Sequence, residues 1–157
     1  VDLDGTGVLI RGVSGAGKST LAHILLLRAP VYGRVARLVA DDRVLLQGDG
    51  TALIASAPPE LAGRIELRGL GIALVRHLPW TRLGLVVDFV EAGAVPRLPT
   101  GEQQKTAVCG VTLARVFAHS PERALDRVLT LIGQSDFDLD GYEPLAPRHQ
   151  DRNTERS

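Results

Sequence analysis

Gly12-Val13-Ser14-Gly15-Ala16-Gly17-Lys18-Ser19 is the stretch that decides how this chain is read. It fits the pattern G-x-x-x-x-G-K-[ST] at every fixed position. Its glycines let the backbone wrap closely, so that successive N–H groups turn inward toward an anion. Just before the loop, Val8-Leu9-Ile10 is a short apolar run that reads as a buried strand. Just after it, residues 19–28 carry Leu21, Ile24, Leu25 and Leu27 at helical spacing, until Pro30 and Gly33 stop the helix. A strand, a glycine-rich loop and a helix N-terminus in that order hold phosphate, because the helix dipole adds to the inward N–H groups. The loop from Gly12 to Ser19, with Thr20, is therefore the expected site for the phosphates of ATP. Lys18 supplies a point charge for the β and γ phosphates, and the Ser19 hydroxyl can ligate a magnesium ion, Mg2+. The chain has only two lysines, Lys18 and Lys105, and one falls where the pattern requires it.

Working outward, residues 37–40 read as a second strand that runs straight into Asp41-Asp42. Residues 43–47 and 52–55 flank Gly48-Asp49-Gly50, a hairpin signal with Asp-Gly at its turn. Residues 65–75 resume a strand-like pattern interrupted by Gly69 and Gly71, which suit a backbone that approaches something closely. Residues 83–90 form the most apolar strand candidate, and residues 93–104, mixing Gly, Pro, Thr and charge, read as a loop. Ser120-Pro121-Glu122 places a cap, a first-turn proline and an acid ahead of Ala124, Leu125, Val128, Leu129 and Ile132, with Gly133 behind. The expected fold class is α/β: a P-loop-containing mixed β-sheet with flanking helices. One catalytic domain is expected over residues 1–134. Apolar content falls after Ser135, so residues 135–157 are expected to be a poorly ordered polar tail.

The 157 residues suit one domain, and an apolar share of 45% makes the chain globular. Basic and acidic residues balance at 18 each, which gives no general attraction to nucleic acid or to an anionic membrane. Cys109 is the only cysteine, so no intrachain disulfide forms. It reads as a core residue. With no charged-then-apolar leader and no apolar run long enough to span a bilayer, the cytoplasm is the expected location.

A phosphate loop does not name a reaction. Asp41-Asp42 closes an apolar strand, where an acid that serves the metal or the nucleophile belongs. Leu38-Val39-Ala40-Asp41-Asp42-Arg43-Val44 resembles the equivalent stretch of HPr kinase/phosphorylase. Ser56-Ala57-Pro58, followed by Ile65-Glu66-Leu67-Arg68-Gly69-Leu70-Gly71-Ile72, is similar to the second signature of that family, E-[IV]-R-G-L-G-I. The three motifs follow in the family's order, and residues 83–99 continue the likeness more loosely, as in short α-proteobacterial members.

The resemblance implies the HPr kinase C-terminal, PEP carboxykinase-like fold. It also implies transfer of phosphate from ATP, in some members from pyrophosphate, to a serine of the small phosphocarrier protein HPr. Many members run the reverse phosphorolysis with inorganic phosphate, and the family's assembly implies a hexamer. On that pattern Lys18 holds the phosphates, while Ser19 and Glu66 hold the divalent cation. Asp42 is the general base toward the serine and the acid in reverse, with Asp41 assisting. A serine hydroxyl at neutral pH needs a positioned carboxylate to take its proton as the phosphoryl group arrives.

The chain departs from the family at four places. Thr20 stands where an acid usually follows the loop serine, and the residues before Val8 contain no histidine where the family has a catalytic one. A family arginine sits in a P-G-R-N loop, and Pro96-Arg97-Leu98-Pro99 offers only Arg97 as its counterpart. Residues 31–35 look like an insertion. Outside the motifs, His23 reads as a packing or surface residue, and His77 and Trp80 as part of a half-buried loop. Asp88, inside an apolar strand, reads as a member of a buried polar network or a site acid. Two other functions fit a P-loop scaffold: a small-molecule kinase, and a regulatory domain that senses ATP without transferring phosphate.

Overall fold

The structure, a computed structural model, describes residues 1–132. The expected domain end near Gly133 and the tail over 135–157 lie outside the described residues. Among the described residues ten strands and two α-helices follow in order. They are β1 (Asp2–Leu3), β2 (Thr6–Arg11), α1 (Lys18–Arg28), β3 (Ala36–Arg37), β4 (Leu45–Gly48), β5 (Leu53–Ser56), β6 (Arg64–Leu67), β7 (Gly71–Leu74), β8 (Trp80–Phe89), β9 (Lys105–Val108), β10 (Val111–Ala118) and α2 (Pro121–Leu131).

The expected mixed sheet is present. Its main path runs β3-β1-β2-β8-β10-β9, with the β4–β5 hairpin attached to β8 and β6–β7 forming a separate two-stranded sheet. The long apolar strand β8 organises it. Over its second half β8 pairs in parallel with both β2 and β10, and over its first half it pairs antiparallel with β5. Two parallel neighbours need crossover connections, and α1 and α2 provide covering helices that pack on each other. Leu21, Leu25, Leu85, Val87, Leu125 and Val128 close the core beneath them. The opposite face is covered by a smaller cluster of Leu9, Leu53, Ala55, Val86, Val111 and Leu113. Among the described residues no helix is long and apolar enough to cross a membrane.

Local chemistry explains the boundaries. Ser120 caps α2, its Oγ accepting from the Arg123 N–H at 3.3 Å, with Pro121 in the first turn. The other end of α2 is held by Arg34, which donates to the carbonyls of Ile132 and Leu129 and pairs with Asp4. Arg34 follows a 3-10 turn (Ala29–Tyr32), so the segment that looks like an insertion carries the group that closes α2. At the β4–β5 turn the Asp49 carboxylate accepts from the Ala52 and Thr51 N–H groups and the Thr51 hydroxyl. These bonds stabilise the charged form and hold its pKa down to about 2.

Three sequence expectations are corrected. Residues 37–40 do not make a four-residue strand: β3 stops at Arg37, and Leu38 makes only an isolated parallel bridge to His77. Cys109 is exposed, not core, because it sits with φ 49° at the tight turn joining β9 to β10. Gly69 and Gly71 do not approach any other part of the described protein closely. Both have positive φ at the β6–β7 turn, with nothing within 4 Å of an added Cβ.

Asp88 does enter a buried polar network. Its carboxylate accepts from Arg11 Nε and Nη2, both at 2.7 Å, and Arg11 Nη2 also reaches Thr106 Oγ1 at 3.4 Å. Arg115 Nε lies 2.7 Å from Asp88 Oδ2, but without hydrogen-bond geometry, so this contact is coulombic. The Arg115 guanidinium stacks over Phe117, 4.2 Å from the ring centroid. Removing the carboxylate would leave two half-buried guanidiniums facing one another. Asp88→Ala is expected to cost about 2 kcal/mol, below the cost for a fully buried pair because both arginines keep contact with water. Urea unfolding would read this as a lowered midpoint at unchanged slope, and an unchanged midpoint would remove the network from the account of stability.

Candidate active site

The glycine-rich loop leaves β2 at the C-terminal end of the parallel strands, where open α/β sheets bind ligands. Its shape depends on two glycines. An added Cβ at Gly12 would lie 2.8 Å from Phe89 Cβ, and one at Gly17 would lie 2.8 Å from Pro121 Cγ, both at positive φ. The loop is thus pressed against β8 and the start of α2, which fixes it relative to the sheet. Among the described residues, the backbone N–H groups of Ser14, Gly15, Gly17, Lys18 and Ser19 have no protein acceptor. That is the donor set a phosphate chain would fill. Lys18 Nζ folds back across the loop, donating to the carbonyls of Gly12 at 3.0 Å and Val13 at 2.9 Å.

A cleft of about 620 Å³ opens beside this loop. On one wall are Ser14, Gly15, Gly17, Lys18, Ser19, Thr20 and His23, and on the other Asp41, Asp42, Glu66, Arg68 and Leu70. The three motifs, far apart in sequence, therefore meet at one place. The link between the last two is direct: Asp41 Oδ2 accepts from the Glu66 backbone N–H at 3.0 Å. That bond ties the acid pair to the β6–β7 hairpin. Asp42 is exposed, and among the described residues its carboxylate has no hydrogen-bond partner. Arg97 is exposed in the loop before β9 and does not line the cleft. Gly12, Val13 and Ala16 shape the loop without lining the cleft.

The donor set fits a hard cation. Ser19 Oγ and the carboxylates of Asp41 and Glu66 offer oxygen only, which suits magnesium. Among the described residues no three His, Cys, Asp or Glu side chains converge as a cage. Magnesium is bound through one or two protein oxygens plus phosphate and water, so it needs no such cage.

His23, read from the sequence as a packing or surface residue, stands among the residues around the candidate site. It lines the cleft, half-buried. Its spacing from Ser19, four residues along α1, puts both on one helix face, and that was the signal available.

The HPr Serine kinase C-terminal domain model matches residues 1–84, more than half of the chain, and takes in the loop, the acid pair and the second signature. The chain belongs to that family. It is 47% identical over 114 residues to the HPr kinase/phosphorylase of Lacticaseibacillus casei, covering 66% of this chain and 34% of that protein. It is 44% identical over 97 residues to the HPr kinase/phosphorylase of Geobacillus thermodenitrificans, covering 57% of this chain and 29% of the relative. The chain thus spans about a third of the length of the curated relatives it matches. The solved structure of the Hpr(Ser) kinase/phosphatase from Coxiella burnetii superposes with a TM-score of 0.63 at 25% identity, covering 80% of this chain and 84% of that one. The mixed sheet with flanking helices is therefore the fold of the HPr kinase C-terminal domain.

Proposed function

We propose that this domain transfers the γ-phosphoryl group of ATP to a serine of the phosphocarrier protein HPr. What carries the proposal is the meeting of the phosphate loop, Asp41-Asp42 and Glu66 in one cleft in a member of this family. Lys18 and the loop N–H groups bind the phosphates. Ser19 and Glu66 would hold magnesium, which supplies charge neutralisation at the phosphate oxygens. Asp42 takes the proton of the serine hydroxyl as the bond from serine oxygen to phosphorus forms and the bond to the ADP oxygen breaks. In the reverse direction inorganic phosphate attacks the phosphoserine phosphorus, the bond from phosphorus to the serine oxygen breaks as Asp42 returns a proton to that oxygen, and pyrophosphate is the product. Asp41, tied to Glu66 N–H, positions the cation and its neighbour.

The proposal extends to a homo-oligomer, a hexamer by family likeness, acting in the cytoplasm. Radiolabel transfer from ATP tests the reaction directly. Label on HPr is the expected result. Label on free hydroxylated metabolites would make the chain a small-molecule kinase, and binding of ATP without any transfer would make it a sensor.

A further inference from the structure

The β6–β7 hairpin carries Glu66 on one strand and a row of uncovered apolar side chains on the other. Its register pairs Arg64 with Leu74, Ile65 with Ala73, Glu66 with Ile72 and Leu67 with Gly71. Side chains alternate, so the hairpin has two faces. The inner one packs Ile65, 1% exposed, with Leu67 and Ala73 against the main core. The outer one presents Glu66 with Ile72 and Arg64 with Leu74. Ile72 is 71% exposed, Leu74 79% and Leu70, at the turn, 81%. Three large apolar side chains left open on one short hairpin mark a contact surface. Among the described residues β7 pairs only with β6, so its outer backbone edge is free as well.

Two observations say what covers it. The patch is continuous with the cleft: Leu70 and Glu66 line the cleft, and Ile72 stands directly across from Glu66. The Asp41 bond to Glu66 N–H fixes the hairpin relative to Asp42. A macromolecule that brings a hydroxyl to Asp42 arrives beside Glu66 and Leu70 and has the exposed Ile72 and Leu74 next to them to rest on, whereas a small metabolite held in the cleft would meet Leu70 at most. The charge is also one-sided. Residues 64–76 hold exposed Arg64, Arg68 and Arg76 against the single carboxylate of Glu66. A second copy placed face to face would set arginines against arginines, and a partner with an acidic rim would be drawn in. We infer that the outer face of β6–β7 is the docking surface for the protein acceptor, which presents its serine beside an apolar patch rimmed by carboxylates.

This inference rests on the protein-serine kinase reading above, and the experiment separates the two. The double variant Ile72→Ser with Leu74→Ser removes exposed side chains and should leave the fold intact. Leu27→Ser with Val31→Ser, at positions exposed elsewhere, serves as the control. The expected result is a KM for HPr raised at least about tenfold by the hairpin variant, with kcat at saturation and ATP affinity unchanged and the control silent. An unchanged KM overturns the docking surface while leaving the kinase reading standing. So does an unchanged KM with a shift from oligomer to monomer in sedimentation, which would assign the face to a second copy. If the parent labels no HPr, the kinase reading fails. Calorimetric binding of HPr then decides the surface: binding lost in the hairpin variant supports it, and binding equal in both or absent in the parent overturns it.

Discussion

Replacing Lys18 with alanine is expected to lower phosphoryl transfer by about 10²- to 10³-fold or more, the scale of losing one preorganised charge at a reacting centre. Affinity for ATP with magnesium should fall too, because the same ammonium meets the phosphates in the ground state. The fold should survive. Among the described residues Lys18 Nζ bonds only the carbonyls of Gly12 and Val13, both in the exposed loop, so little stability is lost with it. Lys18→Arg should not rescue transfer, since a planar fork does not replace a compact point charge. The loop runs so close to Phe89 and Pro121 that Gly12 and Gly17 have no room for a Cβ, which limits how far it can shift to admit the longer side chain. Calorimetry and thermal melting check both halves. Equal ATP affinity in variant and parent would remove the phosphate-loop reading, and a large fall in Tm would move Lys18 from function to structure.

The elements legible in the sequence were those with local signals. Strand, loop and α1 follow from one motif and its flanking apolar periods, β4–β5 from Asp49-Gly50, and α2 from Ser120-Pro121-Glu122. What sequence reasoning missed depends on pairing at a distance. Leu38 and Val39 are buried at 0% and 2%, as an apolar run predicts, yet no ladder forms around them. Burial and strand pairing are separate facts, and hydrophobicity reports only the first. The β9–β10 hairpin turns on Cys109-Gly110, with a cysteine at positive φ where Asn or Asp would have signalled the turn. Residue type alone placed that cysteine in the core.

At the site the same division holds. The loop, the acid pair and the Glu66 segment could each be read locally, but their convergence needed the fold. Asp88 was recognisable as out of place in an apolar strand. Its partner Arg11 is 77 residues away, and only the parallel register of β2 on β8 brings Arg11 opposite Asp88. Arg97, the counterpart the sequence offered for a family arginine, is exposed on the loop before β9 and is not among the residues that line the cleft. Thr20 was expected beside the loop from its motif position, whereas His23 lines the cleft because it shares a face of α1 with Ser19, a matter of helical spacing and not of motif.

Asp42→Asn is expected to keep the shape of the site and most of its ATP affinity while removing the proton acceptor. General-base losses are around 10²- to 10⁴-fold, roughly 3 to 5 kcal/mol of barrier. The loss should appear in kcat and not in nucleotide binding, because the carboxylate acts as the serine proton leaves. The structure gives the two acids different surroundings, which makes their variants distinguishable. Asp42 is exposed and, among the described residues, unpartnered, so an amide there disturbs none of them. Asp41 accepts from the Glu66 N–H at 3.0 Å. In Asp41→Asn the amide oxygen can keep that bond but the charge is gone, so transfer should fall and recover in part at high magnesium if Asp41 orders the cation. A sensor domain would label no HPr in the parent and respond to nucleotide alike in both variants. Normal turnover in Asp42→Asn, with Asp41→Asn inactive at every magnesium concentration, would mean that Asp41 is the base. The bond to Glu66 N–H would then be one that Asp41 must give up on substrate binding.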